Sequence, residues 1–154
     1  MNVFIKALLY LGLYAVLHFG YDLTGYSFLK PICGTNESVF EHLKIGFFAY
    51  LLASAVEYLL FARRYRKPNF LFARLFSNLL VPWVIFTVWY LGPALWGKTP
   101  LVSVELSWAL GVTFFSGITG ATIEKEAEQV RFSPGTRFLL GLLFGVSAFL
   151  FVRF

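Results

Sequence analysis

Two of the eight acids and one of the two histidines of this chain lie in one short stretch, CGTNESVFEHLK, at residues 33–44. Two acids, Glu37 and Glu41, lie within seven positions there together with Asn36 and His42, between segments that are almost wholly apolar. An imidazole beside carboxylates can bind zinc, iron or manganese, and it can also carry out general acid–base catalysis. The stretch therefore predicts a reactive or metal-binding site.

Three further ionisable residues fall at the same predicted depth in a membrane. His18 and Asp22 are four apart near the end of the first apolar segment, so they share one face of a helix that continues this far. Glu105 lies near the start of the fourth apolar segment. Because ionisable side chains are costly in lipid and are functional candidates by default, we expect all three to face the bundle interior.

These residue types predict two kinds of role. The predicted ligands of a divalent transition metal (zinc, iron or manganese) are His18, Asp22, Glu41, His42 and Glu105. The predicted catalytic residues are Glu37 and Glu41. The spacings HExxH, ExxH and HxxxH do not occur, so a metal-free site with Glu41 as the base next to His42 stays an alternative.

Helix capping offers a structural interpretation of part of the stretch. Asn36 is a good N-cap, and an acid such as Glu37 suits the first turn of a helix. Ser38 with Glu41 also matches the S-x-x-E capping box. Capping does not account for His42, because an imidazolium at that position would oppose the helix dipole.

The composition indicates a membrane protein. Of the 154 residues 58% are hydrophobic and 14% are charged, against about 25% charged in an average soluble domain. The net charge of +5 does not indicate nucleic-acid binding, because most basic residues flank apolar segments. The first segment is longer than the apolar region of a signal peptide, so we expect it to remain in the mature protein. Cys33 is the only cysteine and is predicted to be a small apolar filler.

Five segments approach the roughly 17 to 25 residues that a membrane-spanning helix needs. They predict an all-α, polytopic membrane bundle of about five helices in a single domain covering residues 1–154. The predicted helices cover about 3–21, 38–62, 75–96, 101–123 and 137–152.

The basic residues predict the orientation of the bundle. The connection after the second segment carries five of them: Arg63, Arg64, Arg66, Lys67 and Arg74. By the positive-inside rule this loop is cytoplasmic, which puts the N-terminus inside and residues 33–44 outside in a multi-pass protein of the inner (plasma) membrane. Glu57 then lies near the cytoplasmic face, about 24 Å from Glu41 along the helix, and is predicted to pair with Arg63, Arg64 or Arg74.

Small residues predict close helix packing in two places. Ser116 and Gly120 form a small-xxx-small pair, and Gly141 and Gly145 form a GxxxG match. We expect both pairs to pack within one bundle, with a homodimer through Gly141 and Gly145 as the alternative. The other expected partners are membrane lipids.

Two segments of the chain resemble an uncharacterised family of small bacterial integral membrane proteins. They are HFGYDLTG at residues 18–25 and TNESVFEHLKIGFFAYLLASAVEY at residues 35–58, and the family hallmarks are H-x-x-Y-[DE]-x-T-G and NESVWEHLK. The resemblance is strong over residues 18–58; Phe40 stands where the family usually has Trp, and Glu105 where it more often has Asp. The resemblance implies no activity. It implies that a shared pattern includes His18, Asn36, Glu37, Glu41 and His42.

The predicted function is that of a metal-dependent membrane enzyme, a hydrolase or transferase acting on a lipid-like substrate at the outer interface. A transporter or binding protein for a cation or small solute is the second hypothesis, although the acids lie far from the midplane where transporters place their sites. A haem-binding or partner-binding membrane subunit is the third, since two histidines at one depth could form an axial pair.

Overall fold

The computed structural model describes residues 1–61, 69–97 and 101–154. The long helices among these residues are α1 (Val3–Thr24), α2 (Val39–Phe61), α3 (Phe70–Trp96), α4 (Val102–Ala127) and α5 (Pro134–Arg153), with one 3₁₀ turn at Ser27–Leu29. All five long helices are long and apolar enough to cross a membrane. The predicted five-helix membrane bundle is therefore confirmed.

The helix ends differ from the predicted ones where charged residues lie inside the bundle. α3 begins at Phe70, before the predicted start at 75, so Arg74 belongs to a helix rather than to a connection. α4 continues past the predicted end at 123 to Ala127, which makes Glu124 helical as well. Both charges are buried and ion-paired, so they do not end their helices as exposed charges would.

α1 also runs further than predicted, from Val3 to Thr24. It ends at Gly25, whose left-handed backbone (φ 69°) allows its N–H to donate to the carbonyl of Tyr21. The side chain of Asn2 caps the other end by accepting from the N–H of Phe4. The helix therefore continues past Asp22, which is the condition for His18 and Asp22 to lie on the same face.

Four helices form the body of the bundle. α1 packs against α2 and α4, and α3 packs against the same two helices from the other side. α5 lies outside this ring against α3, with Phe144 and Phe151 also touching Phe47 of α2. Only Leu140 of α5 is buried, so most of this helix is free to face lipid.

Glycines of α4 bring the helices into close contact. A Cβ on Gly120 would lie 2.6 Å from Val81 and 2.8 Å from Tyr50, and one on Gly117 would lie 2.6 Å from the ring of Tyr10. The predicted packing at Ser116 and Gly120 is therefore confirmed, because a larger side chain would separate the helices there.

The GxxxG match on α5 behaves differently. A Cβ on Gly141 or Gly145 would meet no atom within 4 Å in the part of the chain that the structure describes. The expected packing of these two glycines within the bundle is not observed there. The homodimer through them stays a prediction.

A buried cluster of charges joins the four body helices near one end. Lys6 of α1 donates to Glu57 of α2 and to both carboxylate oxygens of Glu124 of α4, each at 2.7 Å. Arg74 of α3 lies 3.2 Å from Glu57 and 3.7 Å from Glu124. The predicted pairing of Glu57 with Arg74 is confirmed, and its other predicted partners at positions 63 and 64 lie outside the described residues.

Two tyrosines separate this ion cluster from the opposite end. Tyr50 donates its hydroxyl to Glu124 at 2.8 Å, so its polar end faces the ion cluster. Its ring packs edge to face on that of Tyr10, with centroids 5.6 Å apart. Both side chains are fully buried, and they form an aromatic layer across the bundle core.

Replacing Glu124 with alanine should strongly destabilise the protein. The change leaves Lys6 and Arg74 with one carboxylate fewer and removes the acceptor of Tyr50, and breaking a buried ion pair costs about 3–5 kcal/mol. We expect a loss of that size in the free energy of unfolding, measured in detergent micelles. Glu126→Ala, two residues along on the exposed face, is the matched control and should change stability little; equal losses in the two variants would contradict the role of the ion cluster.

Candidate metal centre at the mouth of an apolar cavity

The loop between α1 and α2 folds back onto α1. The N–H of Gly34 donates to the carbonyl of Leu17 at 3.1 Å. The side chain of Cys33 is buried against Gly20, where an added Cβ would lie 3.1 Å from its sulfur. These contacts bring the following residues, 35–38, alongside His18.

The start of α2 is organised by short-range hydrogen bonds. Asn36 accepts from the N–H of Ser38 at 2.8 Å, and the Ser38 hydroxyl accepts from the N–H of Glu41 at 3.3 Å. Ser38 is therefore the residue that caps α2, rather than Asn36, and one half of the predicted capping box is formed. The carboxylate of Glu41 does not complete the box, because it accepts from the N–H of Thr35 at 2.9 Å instead.

His18, Glu37 and His42 converge at this end of the bundle. One carboxylate oxygen of Glu37 lies 3.6 Å from Nε2 of His18, and the other lies 3.4 Å from Nε2 of His42. The two imidazole centroids are 5.3 Å apart. One ligand atom from each of the three residues lies within 4.8 Å of the others, so a single ion can reach all three.

The second nitrogen of His42 determines its tautomer. Nδ1 lies 2.8 Å from the carbonyl oxygen of Ser38, which can only accept, so in the neutral ring Nδ1 carries the proton and Nε2 presents its lone pair. This is the arrangement that orients a metal-binding histidine, since the hydrogen bond at one nitrogen fixes the ring while the other nitrogen coordinates. Nε2 of His42 faces Glu37.

Aromatic neighbours position the ring of His18. Tyr14 lies one turn below it with near-parallel planes, and the ring of Phe19 meets it edge-on at a centroid distance of 4.7 Å. Nδ1 of His18 is buried and makes no hydrogen bond to the residues described. The ring is therefore oriented by packing, with Nε2 directed towards Glu37.

The spacing of these groups fits a small, nitrogen- and oxygen-liganded ion. With metal–ligand bonds of about 2.0–2.1 Å in a tetrahedron, neighbouring ligand atoms lie about 3.3 Å apart. One oxygen of Glu37 lies 3.6 Å from Nε2 of His18 and the other lies 3.4 Å from Nε2 of His42, so each oxygen is close to this spacing from one imidazole. Two imidazoles with one carboxylate match catalytic zinc sites and the facial triad of non-haem iron, both of which keep an open position.

An apolar cavity of about 190 Å³ extends from this site into the bundle. His18, Glu37 and His42 line its mouth. Deeper in the bundle its wall is formed mainly by apolar side chains from all four body helices, including Ala15, Leu43, Ile85, Trp89, Ala109 and Val112. A ligand with a polar head and an apolar body therefore matches the distribution of polarity along the cavity.

The other predicted site residues lie apart from this centre. Glu41 is 3% exposed and pairs with Lys44 at 2.8 Å, while Lys44 also donates to the carbonyl of Lys30. Asp22 and Glu105 are exposed, and neither joins the metal-binding group found among the described residues. Of the predicted ligands, the structure brings together the two histidines.

Glu37, which the sequence suggested only as an acid or base, supplies the carboxylate of the centre. A signal in the sequence could have separated the two acids. Lys44 follows Glu41 by three residues, which is a spacing at which opposite charges pair on a helix. That pairing removes Glu41 from the candidate ligands and leaves Glu37.

Cys33 has the environment of a buried structural thiol. It belongs to the hydrophobic core, as predicted from the sequence. Burial raises the pKa of its thiol above the ordinary value, and the positive charge of Lys44 offsets part of this effect. The reactive thiolate therefore forms only at higher pH than for an exposed cysteine.

No family model, no curated protein and no solved structure matches this chain. The resemblance of residues 18–58 to a family of small bacterial membrane proteins therefore stays a prediction. The interpretation of the site depends on the geometry of its own residues.

Replacing Glu41 with glutamine should expose Cys33. The change leaves the buried ammonium of Lys44 without its carboxylate, and this weakens the attachment of residues 30–35 to α2. We expect maleimide labelling of Cys33 in the folded protein to accelerate about tenfold or more, since an uncompensated buried charge favours local opening. Asp22→Asn, which removes an exposed carboxylate, should leave the labelling rate unchanged. Equal rates in the unsubstituted protein and in both variants would contradict the role of the Glu41–Lys44 pair in holding this loop against α2.

Proposed function

We propose that this protein is a metal-dependent membrane enzyme, a hydrolase or transferase that acts on a lipid-like substrate. His18, Glu37 and His42 are the protein ligands of a divalent transition metal. The observation that carries the proposal is their convergence at the mouth of an apolar cavity within the bundle. Such a mouth holds the reactive group of an amphiphile beside the ion while its apolar part lies inside.

The ligand set supports the chemistry. A metal held by three protein groups keeps a position for water or substrate, where it can polarise a carbonyl or phosphoryl oxygen or activate water. Glu37 directs one oxygen towards each histidine, and its side chain is 80% exposed. One oxygen can bind the ion while the other, at the open mouth, accepts a proton from the attacking group.

The donor types favour zinc or iron over manganese. Imidazole suits zinc and iron, whereas manganese prefers sites made of carboxylates, carbonyls and water. Two of the three donors here are imidazoles, and the predicted carboxylates Asp22, Glu41 and Glu105 do not join them. Zinc and iron are therefore the first ions to test.

The packing below the cavity favours an enzyme over a transporter. Tyr10 and Tyr50 fill the core between the cavity and the buried ion cluster, and Gly120 allows α4 to close tightly on Tyr50 and Val81. A solute that entered the cavity would meet this aromatic layer rather than a second polar site.

The position of Glu37 disfavours haem as the ligand. A haem iron bound by two histidines needs the porphyrin plane to pass between their Nε2 atoms. The carboxylate of Glu37 lies 3.6 and 3.4 Å from the two nitrogens, so it would have to move for a porphyrin to bind there. A small hard or borderline ion is the ligand that three such donors suit.

The location of the site follows from the predicted orientation. With the basic connection after α2 in the cytoplasm, the centre lies at the outer interface of the plasma membrane. The substrate then reaches it from the lipid or from outside the cell. The family resembled by residues 18–58 would share this centre, since its hallmarks include the three ligands.

Metal analysis of the purified protein tests the proposal directly. After reconstitution with zinc or with ferrous iron and removal of excess ion, we expect about one ion per chain, because the three ligands form one site. His42→Ala and Glu37→Gln should each lose most of the bound ion. Asp22→Asn and Glu105→Gln are matched carboxylate controls, and both should keep it.

Each alternative has its own outcome in the same set of proteins. An ion content that is unchanged in His42→Ala and Glu37→Gln would overturn the centre. Loss of the ion in Glu105→Gln or Asp22→Asn would restore those residues as ligands. Uptake of a cation into proteoliposomes that disappears in Glu37→Gln would replace the enzyme with a transporter.

A further inference from the structure

The cavity reaches the outer surface of the bundle as well as the metal centre. Phe19 of α1 and Leu106 and Leu110 of α4 line the cavity, yet about half of each side chain is exposed. A residue that both lines a cavity and is exposed lies at its rim. The most exposed apolar residues of the rim therefore come from the neighbouring helices α1 and α4, while Val39 of α2 and Phe86 of α3 also reach the rim but are less exposed, at 39% each.

The contact between α1 and α4 explains where the opening lies. The two helices are in close contact at Ala7 and Gly117, where an added Cβ would lie 3.2 Å from the Ala7 backbone. Two turns towards the His18 end, the small residues Ala15 and Ala109 face the cavity instead. Short side chains at these positions leave space between the helices where larger ones would close it.

On its other side, α4 is joined to α3 by a hydrogen bond. The indole N–H of Trp108 donates to the carbonyl of Trp89 on α3 at 3.2 Å. This bond crosses from α4 to α3 at the depth of the cavity, and Trp89 itself lines the cavity wall. Of the two seams that α4 makes with its neighbours, the one with α1 is therefore the side through which a chain can pass.

We propose that the seam between α1 and α4 is a lateral opening through which one acyl chain of a membrane lipid enters the cavity. The chain lies along Ala15 and Ala109, and its head group remains beside His18 and His42. This inference rests on the proposed function for the head group, and it defines the substrate as an acyl lipid drawn from the bilayer. Acyl chains are the hydrocarbon that surrounds such an opening in a membrane.

The length of the cavity limits how much of the chain it holds. Its lining on α4 extends from Leu106 to Thr113, and on α1 from Phe19 to Leu11. These spans of seven and eight residues correspond to about 10 and 12 Å of helix. The part of the chain nearest the head group therefore lies inside the bundle, and the remainder extends through the opening into lipid.

Photolabelling tests this placement without any need for metal or activity. The probe is a palmitic acid analogue with a diazirine near its carboxyl end, in phosphatidylcholine nanodiscs that contain protein treated with a chelator. After irradiation, mass spectrometry measures labelling of the α4 peptide relative to that of α5, on which Leu142 and Leu143 are exposed. We expect a strong excess on α4 in the unsubstituted protein, because a chain held in the cavity remains beside it.

Matched variants make the test specific. Ala109→Phe fills the cavity and should reduce the α4 excess about tenfold, since a close-packed ring leaves no space for the chain. Gly111→Phe places the same ring where an added Cβ meets no atom within 4 Å, and it should keep the excess. Ala15→Phe with Gly12→Phe repeats the comparison on α1, so the test survives if Ala109→Phe does not fold.

The possible results separate this inference from the proposed function. Equal labelling of α4 and α5, or an excess that Ala109→Phe and Ala15→Phe leave intact, would overturn the lateral opening. An excess on α4 in a protein that binds no metal would support the opening and overturn the enzyme. Metal binding without the excess would support the centre and assign its substrate to another class. A palmitoyl analogue with the diazirine at the chain end should show a smaller excess, because that end lies in lipid.

Discussion

The fold depends on the requirement that charges within a bilayer find partners inside the protein. Lys6, Glu57, Arg74 and Glu124 each come from a different helix, and each is nearly inaccessible to solvent. Removing one member leaves the others with an uncompensated charge in a medium that cannot solvate it, which costs far more than a lost surface ion pair. The ion cluster therefore fixes the relative heights of four helices that apolar packing alone would allow to slide, because lipid provides no hydrophobic force between them.

At the opposite end of the bundle, only some of the ionisable side chains have a close partner of opposite charge. Glu41 and Lys44 form a buried pair that also attaches the preceding loop, so their charges are satisfied. His18 and His42 instead share a single carboxylate, Glu37, that is largely exposed, and their facing nitrogens lie 3.4 to 3.6 Å from it. These separations are too long for strong hydrogen bonds and close to the spacing of ligands around a metal. The buried charges that stabilise the fold are thus paired within the protein, while the side chains of the candidate centre can still bind an ion.

The sequence predicts the number of helices well because the length of apolar segments is set by the thickness of the bilayer. It predicts their ends less well where a charge is buried: the sequence places Arg74 and Glu124 in connections, because their partners on other helices are not visible in it. The same limit applies to the site. The depth of a residue along a helix can be counted from the sequence, so His18 and His42 are expected at one level. The rotation of a uniformly apolar helix about its axis cannot be predicted in this way. The choice between Glu37 and Glu41 depends on two contacts of Glu41: its pairing with Lys44, which the i, i+3 spacing in the sequence indicates, and its hydrogen bond from Thr35 in the loop, which only coordinates reveal.

The aromatic layer of Tyr10 and Tyr50 separates the candidate metal centre from the ion cluster, and this separation limits the chemistry that the centre can carry out. Tyr50 directs its hydroxyl to the ion cluster, whereas the hydroxyl of Tyr10 lies 3.4 Å from Ser116 and close to Gly46, on the side of the cavity. Their rings meet between these polar ends, so the hydrogen bonds of one end do not continue into the other. A ligand at the centre can then exchange with the membrane surface at that end and with lipid, but not with the ion cluster. A site with one polar entrance and an apolar interior favours a reaction on the head of an amphiphile over passage of a solute, because the apolar part of such a molecule has a place to remain while its head reacts.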